Sequence, residues 1–132
     1  MKTRISFFVA ACLFLLTGPA APLWAAARFY YQDLGNLGLP MVQVNGLNDQ
    51  GQVVGLSKIV SGEYGEWRGF VWTPGQGMEA LGTLEGGWAS GAYAINNAGQ
   101  VAGYSMNASD AYRAVLWTPG QPIRTWGHWE AG

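Results

Sequence analysis

The sequence predicts an all-β protein: tandem four-stranded antiparallel repeats, propeller-blade-like and incomplete as a ring, behind a cleavable N-terminal signal helix. Three observations carry this reading. Leu47-Asn48-Asp49-Gln50-Gly51-Gln52-Val53-Val54-Gly55-Leu56-Ser57 recurs as Ile95-Asn96-Asn97-Ala98-Gly99-Gln100-Val101-Ala102-Gly103-Tyr104-Ser105, with six of eleven positions identical at an offset of 48. Trp72-Thr73-Pro74-Gly75-Gln76 recurs unchanged as Trp117-Thr118-Pro119-Gly120-Gln121 at an offset of 45. No window after residue 27 places apolar residues at i, i+3, i+4 and i+7 over three turns, so helix is at most minor there.

Residues 1–27 have the layout of a secretory signal. Lys2 and Arg4 give a positive start, Ile5 to Leu16 is apolar apart from Ser6, and Gly18, Pro19 and Pro22 end any helix. Ala25 and Ala27 supply the small −3 and −1 residues of a peptidase site. The apolar run is short of the roughly 20 residues of a membrane span, so no stable span is expected after cleavage. Cys12 lies too early for a lipid-modified N-terminus, because Leu13-Phe14-Leu15-Leu16 would remain exposed behind it. Cleavage after Ala27 removes this only cysteine, and with it any route to a disulfide.

Two full repeats follow, about 31–77 and 78–122, and 123–132 reads as the start of a third. A third element supports the count: Leu34-Gly35-Asn36-Leu37, Leu81-Gly82-Thr83-Leu84 and Trp126-Gly127-His128-Trp129. Within repeat one, Gln32 to Leu34 is read as the first strand. Val42-Gln43-Val44-Asn45 alternates apolar and polar, as a half-buried strand does. Asn48-Asp49-Gln50-Gly51 forms a tight turn with Gly51, like Gly99, at positive φ. Gln52 to Leu56 and Gly69 to Trp72 are further strands, the latter stopped by Thr73-Pro74-Gly75. Met78-Glu79-Ala80-Leu81 opens the next unit. The three-residue difference between the copies falls between Ser57 and Trp72. Four strands in 45–48 residues match one propeller blade, and rings close with about four to eight. Three arrangements stay open: an incomplete gene product, an assembly of several chains, or two small sheets packed face to face.

The unit Asp33-Leu34-Gly35, Asn48-Asp49-Gln50-Gly51-Gln52-Val53, Phe70-Val71-Trp72-Thr73-Pro74-Gly75 and Leu81-Gly82 resembles the HAF family of extracellular bacterial repeats. The resemblance covers nearly all of 31–132. The tripeptide His-Ala-Phe that names the family is here Arg68-Gly69-Phe70 and Arg113-Ala114-Val115. What the resemblance implies is secretion and a β-repeat fold, with no assigned activity or catalytic residues.

Composition narrows the function. Charged residues are 11%, under half of the usual ~25%, and the net charge is −1, which gives no electrostatic pull toward nucleic acid. His128, the one histidine, stands where the other copies have Asn36 and Thr83, so it reads as a turn residue. One histidine and no mature cysteine leave no transition-metal set, and no cofactor is expected. Asp49 corresponds to Asn97, so the Asn-x-x-Gly turns lack the charge a calcium site wants. The acids Asp33, Asp49, Glu63, Glu66, Glu79, Glu85, Asp110 and Glu130 include no pair that the pattern draws into a cleft, as glycoside hydrolysis requires.

Aromatics are in excess at 14%. Trp72 and Trp117 recur at one position and are read as filling the core between the repeats. Trp67, Trp88 and Tyr112 read as lying in variable or glycine-rich loops, and these three are the candidate ligand-binding residues, since exposed rings stack on sugar faces and favour protein interfaces. The function expected is a secreted, non-enzymatic interaction or surface/matrix module, with a polysaccharide or surface protein as partner. The alternative is a fragment of a larger secreted repeat protein or carbohydrate-active enzyme whose catalytic part lies elsewhere. Self-association is expected too: Ile123-Arg124-Thr125-Trp126-Gly127 matches Met78 to Gly82, and an unpaired apolar strand is a template for another chain's edge. Export gives the first test. Intact-mass analysis of secreted material should show an N-terminus at Arg28; an exported product that retains Met1 to Ala27 contradicts the leader.

Overall fold

The computed structural model describes residues 28–126, and the leader with its Ala25 and Ala27 site, like His128 and Trp129, lies outside them. The chain divides into units of residues 1–32 and 33–132; the described part of the first, 28–32, has no regular secondary structure. The second unit is all-β. Its strands are β1 (Val42–Leu47), β2 (Val53–Ile59), β3 (Glu66–Thr73), β4 (Gly77–Ala80), β5 (Ser90–Ile95), β6 (Val101–Met106), β7 (Tyr112–Trp117) and β8 (Arg124–Thr125). They form two four-stranded antiparallel sheets in the orders β1-β2-β3-β4 and β5-β6-β7-β8. No helix among the described residues is long and apolar enough to cross a membrane.

The sheets are built alike. The β1–β2 ladder slips between Val44 and Gly46, and the β5–β6 ladder slips at the corresponding Ala92 and Ala94. Each slip is a β-bulge, which turns one extra residue out of the ladder and bends the strand. A side chain at Gly55 would run into the Gln43 carbonyl, and one at Gly103 into that of Gly91, so both bulges require glycine opposite them. The turns after β1 and β5 have Gly51 at φ +74° and Gly99 at φ +75°, as the Asn-x-x-Gly pattern demands.

Three local expectations differ from the structure. Gln32 to Leu34 is not a strand. Sheet boundaries take another phase from the repeat boundaries at 77/78 and 122/123: β4 completes the first sheet and β8 completes the second. Residues 123–126 are therefore not an unpaired strand: β8 is the edge strand of the second sheet, held on one side by β7. Val115 pairs with Thr125, Leu116 with Arg124, and the Trp126 amide donates to the Ala114 carbonyl at 2.8 Å.

One face of the first sheet, carrying Gly46, Val54, Leu56, Gly69 and Val71, receives the second sheet. The approach is made chiefly through β5, which lies against β1, β2 and β3. Val54 joins Ala92, Val101, Val115 and Trp117 in the buried core, with Val71, Leu81, Leu84 and Ile95 packed around them. Trp117 fills the place expected of it, its indole N–H donating to the Gly82 carbonyl at 3.1 Å. Trp72 is only half-buried; it lies on the opposite face of the first sheet, away from the join, beside Phe70, which is fully buried there.

Polar groups inside the join are paired. Asn45 Nδ2 donates to the Ala92 carbonyl at 2.7 Å, and the Gly69 amide donates to Ser90 Oγ at 3.1 Å. The Leu-Gly-x-Leu segments are anchored by buried serines: the Leu37 amide donates to Ser57 Oγ, and the Leu84 amide to Ser105 Oγ. The approach itself tests the fold. A Cβ at Gly69 would sit 3.2 Å from the Ala92 nitrogen and 3.3 Å from the Gly91 carbonyl carbon. Gly69→Val should therefore cost about 1–3 kcal/mol by overpacking. Ala114→Val, at the corresponding but exposed place on the second sheet, should stay within about 0.5 kcal/mol. Urea melts of the two variants measure the difference, and equal losses would refute the glycine requirement.

Candidate functional site

The face of the second sheet that corresponds to the packed face of the first carries no sheet among the described residues. Gly46, Val54, Gly69 and Val71 become Ala94, Ala102, Ala114 and Leu116. At the larger positions the exchange is toward aromatics: Asn45 becomes Tyr93, Leu56 becomes Tyr104, Trp67 becomes Tyr112 and Leu81 becomes Trp126. Tyr93 is 55% exposed, Tyr112 66% and Trp126 67%. The floor is alanine, and the rings stand on it.

Tyr104 ties the cluster together. Its ring centroid is 5.9 Å from that of Tyr93, tilted by 40°, and 5.3 Å from that of Tyr112, edge-on at 61°. Tilted and edge-to-face contacts at these distances are favourable for aromatic quadrupoles, at about 0.5–1.5 kcal/mol per pair beyond area burial. Beside them, Ala94, Ala102, Leu116 and Trp126 line a shallow apolar depression of about 440 Å³. Burial chiefly, then repulsion from the Tyr93 and Tyr112 phenolates, raises the pKa of Tyr104 above its ordinary 10.0.

The three candidate residues are not gathered into one site. Trp67 lies in β3, half-buried, with Lys58 Nζ 5.6 Å from its ring centroid, a cation–π distance. Tyr112 opens β7 and belongs to the tyrosine cluster. Trp67 and Tyr112 lie not in loops but at corresponding strand positions, because the three extra residues fall between Lys58 and Trp67, as one further ladder pair, Ile59 with Glu66, and a turn one residue longer. Trp88 is the loop residue of the three. It is 45% exposed, and its indole N–H donates to Asp110 Oδ1 at 2.8 Å.

Asp110 shows a feature that sequence patterns missed. Asn107 Oδ1 accepts from the Ser109 and Ala111 amides, both at 3.0 Å, as Asn48 Oδ1 accepts from Gln50 and Gln52. Asn107 thus begins a third turn of the same design, with Asp110 in the glycine place at φ +56°. Asp is among the few side chains that tolerate this region. The strained position sets its carboxylate against Trp88. An Asn followed at the third place by any left-handed-tolerant residue was the available signal.

Among the described residues, no group of three or more His, Cys, Asp or Glu side chains could hold a metal ion. The cleft where the sheets splay apart, of about 330 Å³ between Val71 and Leu81 on one side and Val101 and Trp117 on the other, has Glu79 as its one lining carboxylate. No family model, curated protein or solved structure matches the chain.

The cluster predicts an alkaline signature. With a raised folded pKa, the neutral phenol of Tyr104 contributes stability that is complete below pH 10 and is lost as pH rises through the raised value. Phenolate absorbance should show one tyrosine titrating late, and Tyr93→Phe should bring it earlier by removing a neighbouring charge. An unchanged titration in that variant would separate Tyr104 from its neighbours.

Proposed function

We propose that this chain is a secreted, non-enzymatic interaction or surface/matrix module of the HAF repeat type, with its two sheets as adjoining propeller-like blades. It acts through the open face of the second sheet. One observation carries the reading. Tyr93 and Tyr112 stand exposed on either side of a half-buried Tyr104, on a sheet face whose counterpart in the first sheet is buried. Exposed apolar surface at a defined, repeated position marks a docking site rather than scattered surface hydrophobes. Tyrosine suits the task, since its ring supplies contact area while its hydroxyl keeps the face wettable.

The blade reading is supported by the wedge between the sheets, closest along β5 and parted at the cleft near β4 and β7. The secreted reading rests on the leader pattern of residues 1–27, and the HAF reading on the recurrent motifs. A glycan is the second ligand reading, and Trp88 favours it: an exposed indole fixed by a carboxylate offers a flat ring beside a polar acceptor.

Fractionation tests the main reading. The exported chain should partition with the cell surface and matrix, and Tyr93→Lys with Tyr112→Lys should shift most of it into the medium at unchanged yield. Equal partition of the two forms would refute a working open face. For the glycan reading, tryptophan emission should shift on titration with soluble polysaccharide, and Trp88→Ala should abolish the shift.

A further inference from the structure

The chain exposes both halves of the contact that its own two sheets make with each other. One half is the open face of the second sheet, with Tyr93, Tyr104, Ala114 and Trp126. The other is the β1 side of the outward face of the first sheet, where Val44 is 54% exposed and Leu47 71%, while Phe70 and Ser57 farther in on that face are buried. At the place corresponding to Val44, Ala92 is fully buried in the core, and Ile95, corresponding to Leu47, packs against that core. Val42 is likewise exposed, whereas the corresponding Ser90 is fully buried. We propose that the outward face of the first sheet docks onto the open face of the second sheet of a second copy of this chain, head to tail. This deepens the proposed function by naming the partner, and it rests on the open face being the interaction face.

The turns carry the same continuity. Within the chain, Asn48 Nδ2 donates to the Asn96 carbonyl at 3.1 Å, and the Asp49 amide donates to Asn97 Oδ1 at 3.0 Å. Asn96 repeats the internal bonding of Asn48, with its Oδ1 accepting two amides and its Nδ2 donating to Gln100 Oε1 at 2.9 Å. Among the described residues, one N–H of the Asn96 amide has no partner, where Asn48 uses its own to reach the next turn. In the docked pair it meets the Asn48 carbonyl of the second copy, and the Asn97 amide meets the carboxylate of Asp49 there.

The contact between copies is more open than the contact within the chain. Where the intrachain join has glycine at 46, 69 and 91, the docked pair has Ala94, Ala114 and Gln43. Their side chains hold the incoming strand off, and the rings of Tyr93, Tyr104 and Trp126 span the wider gap. The association is therefore reversible. Because two different patches meet, the contact is heterologous and propagates, closing into a ring or running on as a filament.

Sedimentation of the exported chain, with one-sided variants, tests this. The wild type should form oligomers at micromolar concentration. Tyr93→Lys blocks one half and Val44→Lys the other, so each variant alone should sediment as a monomer. Their equimolar mixture should give a one-to-one dimer, since each supplies the half the other lacks. Both sites are exposed, and circular dichroism checks the fold; Trp126→Lys and Leu47→Lys replace a variant that unfolds. A monomeric wild type, oligomers that persist in both variants, or a mixture that stays monomeric overturns head-to-tail docking. A wild type that is monomeric yet retained at the cell surface through Tyr93 and Tyr112 overturns the docking alone and leaves the module reading intact. If retention is also insensitive to those tyrosines, both fail.

Discussion

The closeness with which β5 lies on the first sheet is the constraint from which the rest of the fold follows. Side chains normally hold stacked sheets about 10 Å apart. Here backbone meets backbone, because Gly46, Gly69 and Gly91 have no Cβ to intervene. At Gly91 an added Cβ would lie 2.6 Å from Leu56 Cδ2, and at Gly46 it would lie 3.2 Å from the Tyr93 carbonyl oxygen. Only with the strands this near does Asn45 reach the Ala92 carbonyl and Ser90 receive the Gly69 amide. The small residues Ala92 and Ser90 fit under the same roof, and larger Val101, Val115 and Trp117 fill the wedge as the sheets part.

Much of this architecture was legible in the residues, and the failures have physical causes. The alternation of Val42 to Asn45 and the Asn-x-x-Gly turns act locally, so a strand and a turn could be read from a few neighbours. The phase of the sheets could not, because it depends on pairing. Thr73-Pro74-Gly75-Gln76 is a tight connection between β3 and β4, and a boundary drawn after it cuts through a hairpin whose two arms share one ladder. Recurring motifs show the period of a pattern but not where its unit begins. Gln32 to Leu34 reads as extended yet finds no partner strand. Of the aromatics, Trp88 lies in a loop as its glycine-rich surroundings suggest, while Trp67 and Tyr112 form a matched pair that only the strand pairing reveals.

The two faces differ in a way that follows from being covered or uncovered. Under the second sheet, the first uses glycine where backbone must approach and leucine or valine where space remains. On the open face, those places carry methyl groups and rings with hydroxyl tips. Tyrosine can remain wet without the cost that leucine or phenylalanine would incur there. Asn48, buried and using both amide hydrogens and both lone pairs of its side chain, sits at the covered end of the turn pair. Asn96, with the same internal bonds, is exposed.

The strand orders β1-β2-β3-β4 and β5-β6-β7-β8 also have a meaning in time. Every ladder joins neighbours along the chain, so each loop closed in making a sheet is short and its entropic cost is small. Hairpins of this kind assemble in about 1–10 μs, well before contacts between distant segments. The seating of β5 on β1, β2 and β3 is the long-range event, and it brings together residues some 48 positions apart, as at Asn48 and Asn96. The docking of the two meanders, with its glycine contact, is thus the contact that spans the most sequence and carries the largest loop-closure entropy.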